Sequence, residues 1–210
     1  MNNDFNALLT YKDTIESLAQ KEGVDAFFAQ EVLRFILIVG SLKASCRLSD
    51  NENINQRNFT HILGRTLLEN FFYLMYIYDN EEEKEERYKK QIINPFKKDY
   101  LKLTKDFTLN STNLLDNMDK AKEEWSNLGN GLNIHDILTQ VSHDNSYYKM
   151  NYLYFTYRIT SFYVHGKSLD AVFHSTFGRE NSNFIVLDFE KIFDYISNYY
   201  LHILLKQIEL

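Results

Sequence analysis

The chain reads as an all-α protein, a single domain over residues 1–210 forming a bundle of six to eight helices, and three observations predict this. Only one proline and seven glycines occur in 210 residues, so little interrupts long helices. Apolar residues recur at three- and four-residue spacing through most of the chain. The composition, 44% hydrophobic and 25% charged, is that of a folded globular protein, and no Pro/Gly/Ser-rich linker divides it.

Residues 5–21 place Phe5, Leu8, Leu9, Tyr11, Ile15 and Leu18 on a helical period that stops at Gly23. A second helix is predicted over 25–47. Its most apolar part, Phe35 to Val39 within Val32 to Leu42, is far shorter than the ~20 residues that cross a bilayer, and Arg34 and Lys43 bracket it, so it reads as a core helix. Ser49-Asp50-Asn51-Glu52-Asn53 is a polar loop. The third helix, 55–78, carries Phe59, Ile62, Leu63, Leu67, Phe71, Phe72, Leu74 and Met75 on a wide apolar face and should be central.

A fourth helical region covers 82–105, kinked or split at Pro95, because proline removes a backbone donor and disfavours helical geometry in the residue before it. Weaker helical signals at 112–127 and 134–142 flank a turn at 129–133, whose Asn133 can cap the short helix after it. A helix at 147–165, a short one at 169–175, a loop at 178–183 and a last helix over 188–208, with Asp188 near its start, complete the bundle. Phe184-Ile185-Val186-Leu187 is β-rich but lacks a partner strand, so it is expected as an extended segment packed on the helices.

The lone Cys46 forms no internal disulfide, and neither a Cys/His zinc pattern nor a secretory signal is present, so a cytoplasmic protein is expected. A net charge of −6 argues against broad electrostatic binding of nucleic acid, which would require a local basic patch. One follows the acidic block Glu81, Glu82, Glu83, Glu85 and Glu86. There Lys98, Lys102 and Lys105 share one helical stripe and form a candidate RNA-binding track. The same order of charges is what a helix dipole favours on a solvated face.

The chemistry concentrates in Tyr157-Arg158-Ile159-Thr160-Ser161-Phe162-Tyr163-Val164-His165-Gly166. Seven residues are almost two helical turns, so Arg158 and His165 point the same way, with Ser161 between them and Tyr154 one turn before. Arginine presents a planar fork to phosphate, and histidine exchanges protons near neutral pH. An ordinary helix C-terminus also ends in His-Gly. A second polar stripe, His61, Arg65 and Glu69 at four-residue spacing, lies on the otherwise apolar third helix, where Arg65 and Glu69 form an ion pair, support the Arg158/His165 pair, or do both. Aromatic residues nearly surround the Arg158 helix, which suggests burial on several sides or a homodimer interface. No glycine-rich phosphate loop, dinucleotide fingerprint or His-Glu-x-x-His helix occurs, so no metal and no cofactor are expected.

The helical bundle with Arg158-x6-His165 at a helix end resembles the HEPN superfamily, whose signature is an Arg followed by four to six residues and a His. The block Gly64-Arg65-Thr66-Leu67-Leu68-Glu69-Asn70, then Arg87-Tyr88, then Tyr157 to Gly166, also looks like an uncharacterised bacterial family with Arg-x3-Glu and Ser-x3-His-Gly signatures; the similarity covers roughly residues 55–170. HEPN proteins often carry Asn, Asp or His directly after the Arg, where this chain has Ile159. The resemblance implies a metal-independent endoribonuclease that dimerises to pair two Arg/His sites and works in phage defence or a toxin-like system, with RNA as substrate and an antitoxin or defence protein as partner. Arg158 and His165 would be catalytic, with Ser161, Arg65, Glu69 and Tyr154 supporting. Inactive HEPN members imply the alternative, a non-catalytic helical module that binds a nucleotide or a protein.

Overall fold

The computed structural model of the chain describes residues 3–45, 54, 57–106, 118–141, 147–164, 169–178 and 185–208. Among them the protein is all-helical, with nine helices and no strand. These are α1 (Asn3–Thr10), α2 (Lys12–Ala19), α3 (Val24–Ser45), α4 (Asn58–Tyr78), α5 (Lys84–Tyr88, a π-helical turn Lys89–Ile93, and Asn94–Lys105 in one run), α6 (Ile134–Gln140), α7 (Tyr147–Thr160), α8 (Leu169–Phe177) and α9 (Phe189–Ile208). The backbone divides into two compact units, one of residues 1–71 and 143–210 and one of residues 72–142.

The first unit is built on aromatic contacts. Phe35 of α3 meets Phe5 of α1 and both Phe193 and Tyr200 of α9 edge to face, with centroids 6.1, 6.2 and 5.3 Å apart. Phe71 of α4 packs on Tyr199 and Tyr200 at 5.3 and 6.2 Å. Such pairs add about 0.5–1.5 kcal/mol each beyond the area they bury. Polar contacts fix the ends of the helices. The Asp194 carboxylate of α9 accepts from the Asp4 and Phe5 amides at 3.1 and 3.4 Å, satisfying the start of α1. Gln207 near the end of α9 donates to Asp25 at the start of α3, 3.0 Å, and Asn70 of α4 donates to Glu31 of α3, 3.0 Å. Burial raises the Glu31 carboxyl above its ordinary range despite the neighbouring Arg34. Gly64 lets α4 approach α9: a Cβ there would lie 2.3 Å from Phe189 Cε1.

In the second unit, Arg87 holds the start of α5 through a bond to the Tyr76 carbonyl (2.7 Å), ion pairs with Asp79 and Glu83, and stacking over the Tyr76 ring at 4.6 Å. Buried Gln91 uses both ends of its amide on the Leu132 backbone, donating to the carbonyl at 2.9 Å and accepting from the amide at 2.8 Å. That clamp ties the π turn to the segment before α6, whose Asn133 side chain accepts from the Asp136 amide at 3.0 Å as the N-cap that the sequence predicts.

Several boundaries differ from expectation. The first predicted helix is two, broken at Tyr11, whose φ of −95° and ψ of 11° leave the helical basin. Helix α4 starts at Asn58, and the 25–47 helix ends within the described residues at Ser45. The 82–105 region is interrupted next to Pro95: a π turn, Lys89–Ile93, separates the α-segments Lys84–Tyr88 and Asn94–Lys105, and Pro95 sits at the first or second position of the latter, where proline is tolerated. Residues 118–122 are not helical, and only Glu123–Asn127 forms a 3₁₀ turn. Helix α7 ends at Thr160 rather than 165 and continues as i→i+3 turns, with Phe162, Tyr163 and Val164 amides donating to Ile159, Thr160 and Ser161 carbonyls. The extended segment is seen at residues 185–187, and the Asp188 side chain caps α9 by accepting from the Lys191 amide, 3.1 Å. The loops expected at 49–53 and 179–183, Cys46 and residues 112–117 lie outside the described residues. Among those described, no helix is long and apolar enough to cross a membrane.

Candidate functional site

Helix α4 supplies one half of the site. Four-residue spacing stacks Arg57, His61, Arg65 and Glu69 along one face, each ~6 Å above the last. Arg65 Nη1 donates to Glu69 Oε2 at 2.6 Å, so the predicted ion pair exists, half-buried on both sides. Arg65 also lays its guanidinium over the Tyr157 ring of α7, 4.2 Å from the centroid.

Helix α7 supplies the other half. Tyr157 stacks on Tyr154 with centroids 6.3 Å apart and planes 17° from parallel. Arg158, the residue after Tyr157, is exposed, and its Nη1 approaches the Tyr154 hydroxyl at 3.5 Å. A chain of contacts therefore runs Glu69, Arg65, Tyr157, Tyr154, Arg158. Burial raises the Tyr157 phenol above its usual range, and the Glu69 carboxylate adds to this, so the ring stays protonated and serves as a platform. Ser161 donates its hydroxyl to the Tyr157 carbonyl at 2.7 Å. His165 lies outside the described residues.

Arg65 and Glu69 of one predicted stripe thus reach Tyr154 and Arg158 of the other through Tyr157, while Ser161 lies beyond the end of α7, so one helical face through Arg158, Ser161 and His165 is not seen. Sequence reasoning left Tyr157 out of the site; its only signal was its place beside Arg158 in a helix crowded with aromatics. Arg57 was also missed, although it extends the His61, Arg65, Glu69 spacing by one step. The lysine stripe belongs to the second unit. Lys98 is half-buried, Lys102 pairs with Asp99 at 2.7 Å, and Lys105 pairs with Glu123 beside the 3₁₀ turn.

His61 sits deeper. It is 1% exposed, with its ring 4.2 Å from that of Tyr163 and 5.2 Å from that of Phe189. Burial, helped by the Arg57 charge, lowers its pKa to about 3, so it is neutral at physiological pH. The same burial pushes the Tyr163 phenol up to about 12.

These features define a class: an all-helical protein in which an arginine of one long helix stacks on a tyrosine of a later one. Residues 35–184 match the model of DUF5677, a family of unknown function, and the chain belongs to that family. No curated protein and no solved structure matches the chain.

Proposed function

We propose that the chain is a metal-independent endoribonuclease of HEPN type, cytoplasmic and homodimeric, acting in phage defence or a toxin-like system. The observation that carries this reading is the Arg65 guanidinium stacked on Tyr157, which joins the Arg65/Glu69 pair to the helix that presents Arg158. In this reading His165 takes the proton of the 2′-hydroxyl, the 2′-oxygen attacks the adjacent phosphorus, and the P–O5′ bond breaks. The imidazolium so formed returns the proton to the leaving 5′-oxygen, so the products carry a 2′,3′-cyclic phosphate and a 5′-hydroxyl. Arg158 stabilises the charge that develops on the phosphoryl oxygens. Arg65 and Glu69 are positioning residues that fix Tyr157 and, through it, the Arg158 turn. Exposed Phe155 and Phe162 flank Arg158 along the chain at 42% and 54% exposure and offer the apolar surface for a second copy.

The test is cleavage of RNA in the presence of EDTA by wild type and His165→Ala. General acid–base catalysis is typically worth about 10²–10⁴-fold, and the variant should lose that much. Replacing the 2′-hydroxyl at the cut site by hydrogen should abolish cleavage. Full activity in His165→Ala, or equal cutting of DNA and RNA, sinks the mechanism. The alternative, a non-catalytic module, is then favoured by the commitment of Arg65 to Glu69 and of Ser161 to a backbone carbonyl.

A further inference from the structure

Arg57 and His61 have no role in that chemistry, and their surroundings are electrostatically incomplete. Arg57 is 4% exposed, and among the described residues its guanidinium has no carboxylate partner; Nη1 donates to the Ile185 carbonyl at 3.1 Å, and Nε has no hydrogen-bond partner. One turn on, His61 Nδ1 is likewise buried without a partner. Buried polar atoms are nearly always bonded, and a buried cation without a counter-charge is strongly unfavourable.

The placement sharpens the problem. Arg57 precedes the first residue of α4 and its carbonyl accepts from the His61 amide at 2.9 Å, so its cation stands at the positive end of a 21-residue helix. That end has no acidic residue in its first turn. Among the described residues, no carboxylate pairs with the buried guanidinium or bonds the open imidazole nitrogen, and the helix N-terminus has none in its first turn; the negative charge nearby, Asp170, acts on the Tyr163 ring.

We propose that Arg57 and His61 form a binding site for one small phosphate-class oxyanion at the start of α4. The anion takes the Nε–H of Arg57 and a proton on His61 Nδ1, and it displaces the Ile185 carbonyl from Arg57, because in a buried site a full opposite charge attracts the guanidinium more strongly than a carbonyl dipole does. The rings of Tyr163 and Phe189 hold the imidazole in place. The ligand is a free phosphate or the phosphate of a nucleotide. This inference does not rest on the ribonuclease reading.

The test titrates inorganic phosphate, and separately adenosine monophosphate, into the full chain at constant ionic strength, read by calorimetry and by ³¹P NMR. An Arg158→Ala background removes the other candidate phosphate contact, so failure of this proposal is distinguishable from failure of the ribonuclease. One saturable site per chain is expected. Arg57→Met should weaken it at least about tenfold, as loss of a desolvated charge partner does. His61→Phe keeps the ring packing without the nitrogen, gives a smaller loss, and stands in if Arg57→Met fails to fold. Tighter binding of the nucleotide identifies a nucleotide as the source, and equal binding identifies free phosphate. No uptake of either ligand above the chloride background, or unchanged binding in the folded variants, overturns the proposal.

Discussion

The arginines of the first unit and the lysines of the second carry the same charge in opposite settings. Arg65 is half-buried, held at one end by Glu69 and stacked by its face on Tyr157, so its guanidinium has one position. Lys90 and Lys102 stand exposed on α5, paired at 2.6 and 2.7 Å with Glu86 and Asp99 one turn away. Exposed pairs of that kind contribute about 0–1 kcal/mol and exchange readily with water. What separates Arg65 from Lys90 and Lys102 is an aromatic wall together with a half-buried carboxylate, a setting that only Arg87, over Tyr76, approaches among the second unit's described cations.

The largest effect that distinguishes the two regions is a pH dependence located in the first unit. His61 has a folded-state pKa of about 3 against an ordinary value of 6.5. Below 6.5 the unfolded chain binds a proton that the folded chain refuses, so this contribution to stability is complete above 6.5 and is lost as the pH falls toward 3, at roughly 1.4 kcal/mol per pH unit. Denaturant midpoints measured between pH 7 and 4 in phosphate-free buffer should fall in wild type and fall less in His61→Phe. Equal slopes in the two proteins would place the acid sensitivity in surface carboxylates instead.

Next comes the close approach that brings α4 to α9. Gly64→Ala places a Cβ 2.3 Å from Phe189 Cε1, and Phe189 is 2% exposed and wedged between His61 and Phe193. Overpacking costs about 1–3 kcal/mol, which exceeds the ~1 kcal/mol that alanine gains in helix propensity. A lowered melting temperature is expected; a raised one would mean the ring yields and the first unit is less tightly set than the arginine contacts imply.

How far the sequence alone reaches follows from these residues. The long helices were legible because α4 and α9 bury apolar side chains at helical spacing, and Asn133 was legible as a cap because its side chain acts on the amide three residues away; Asp188 was placed at the start of α9, and its capping bond appears only in the structure. The break at Tyr11 was not, since tyrosine is no helix breaker and only its dihedral angles reveal it. The π turn leaves no proline or glycine inside it. In the site, Arg65–Glu69 is a local i,i+4 pair and could be read directly, whereas Tyr157 under Arg65 and the incomplete surroundings of Arg57 depend on which distant segments fold against α4.

Arg65→Lys tests the aromatic wall itself. The variant keeps the charge and can still pair with Glu69 but loses the planar stack on Tyr157, worth about 1–2 kcal/mol. If Arg65 positions the Arg158 turn, RNA cleavage should drop about tenfold, with thermal stability lowered by no more than the stack itself. Unchanged cleavage alongside lowered stability would make Arg65 purely structural.

The smallest effect is expected from the lysine stripe. Lys102 and Lys105 already hold Asp99 and Glu123, so an RNA phosphate must displace a carboxylate, and the net gain in attraction is less than that of an unpaired cation. Each phosphate neutralised by a single-strand contact changes the slope of log affinity against log salt by about 0.7. Lys102→Gln should therefore shift RNA affinity by no more than about threefold at physiological salt and alter that slope by less than one such contact. Lys98 has no carboxylate partner among the described ion pairs, so Lys98→Gln should give the larger change of the two. A tenfold loss on replacing Lys102 would show that its pairing with Asp99 is only a resting arrangement and that α5 itself contacts RNA phosphates.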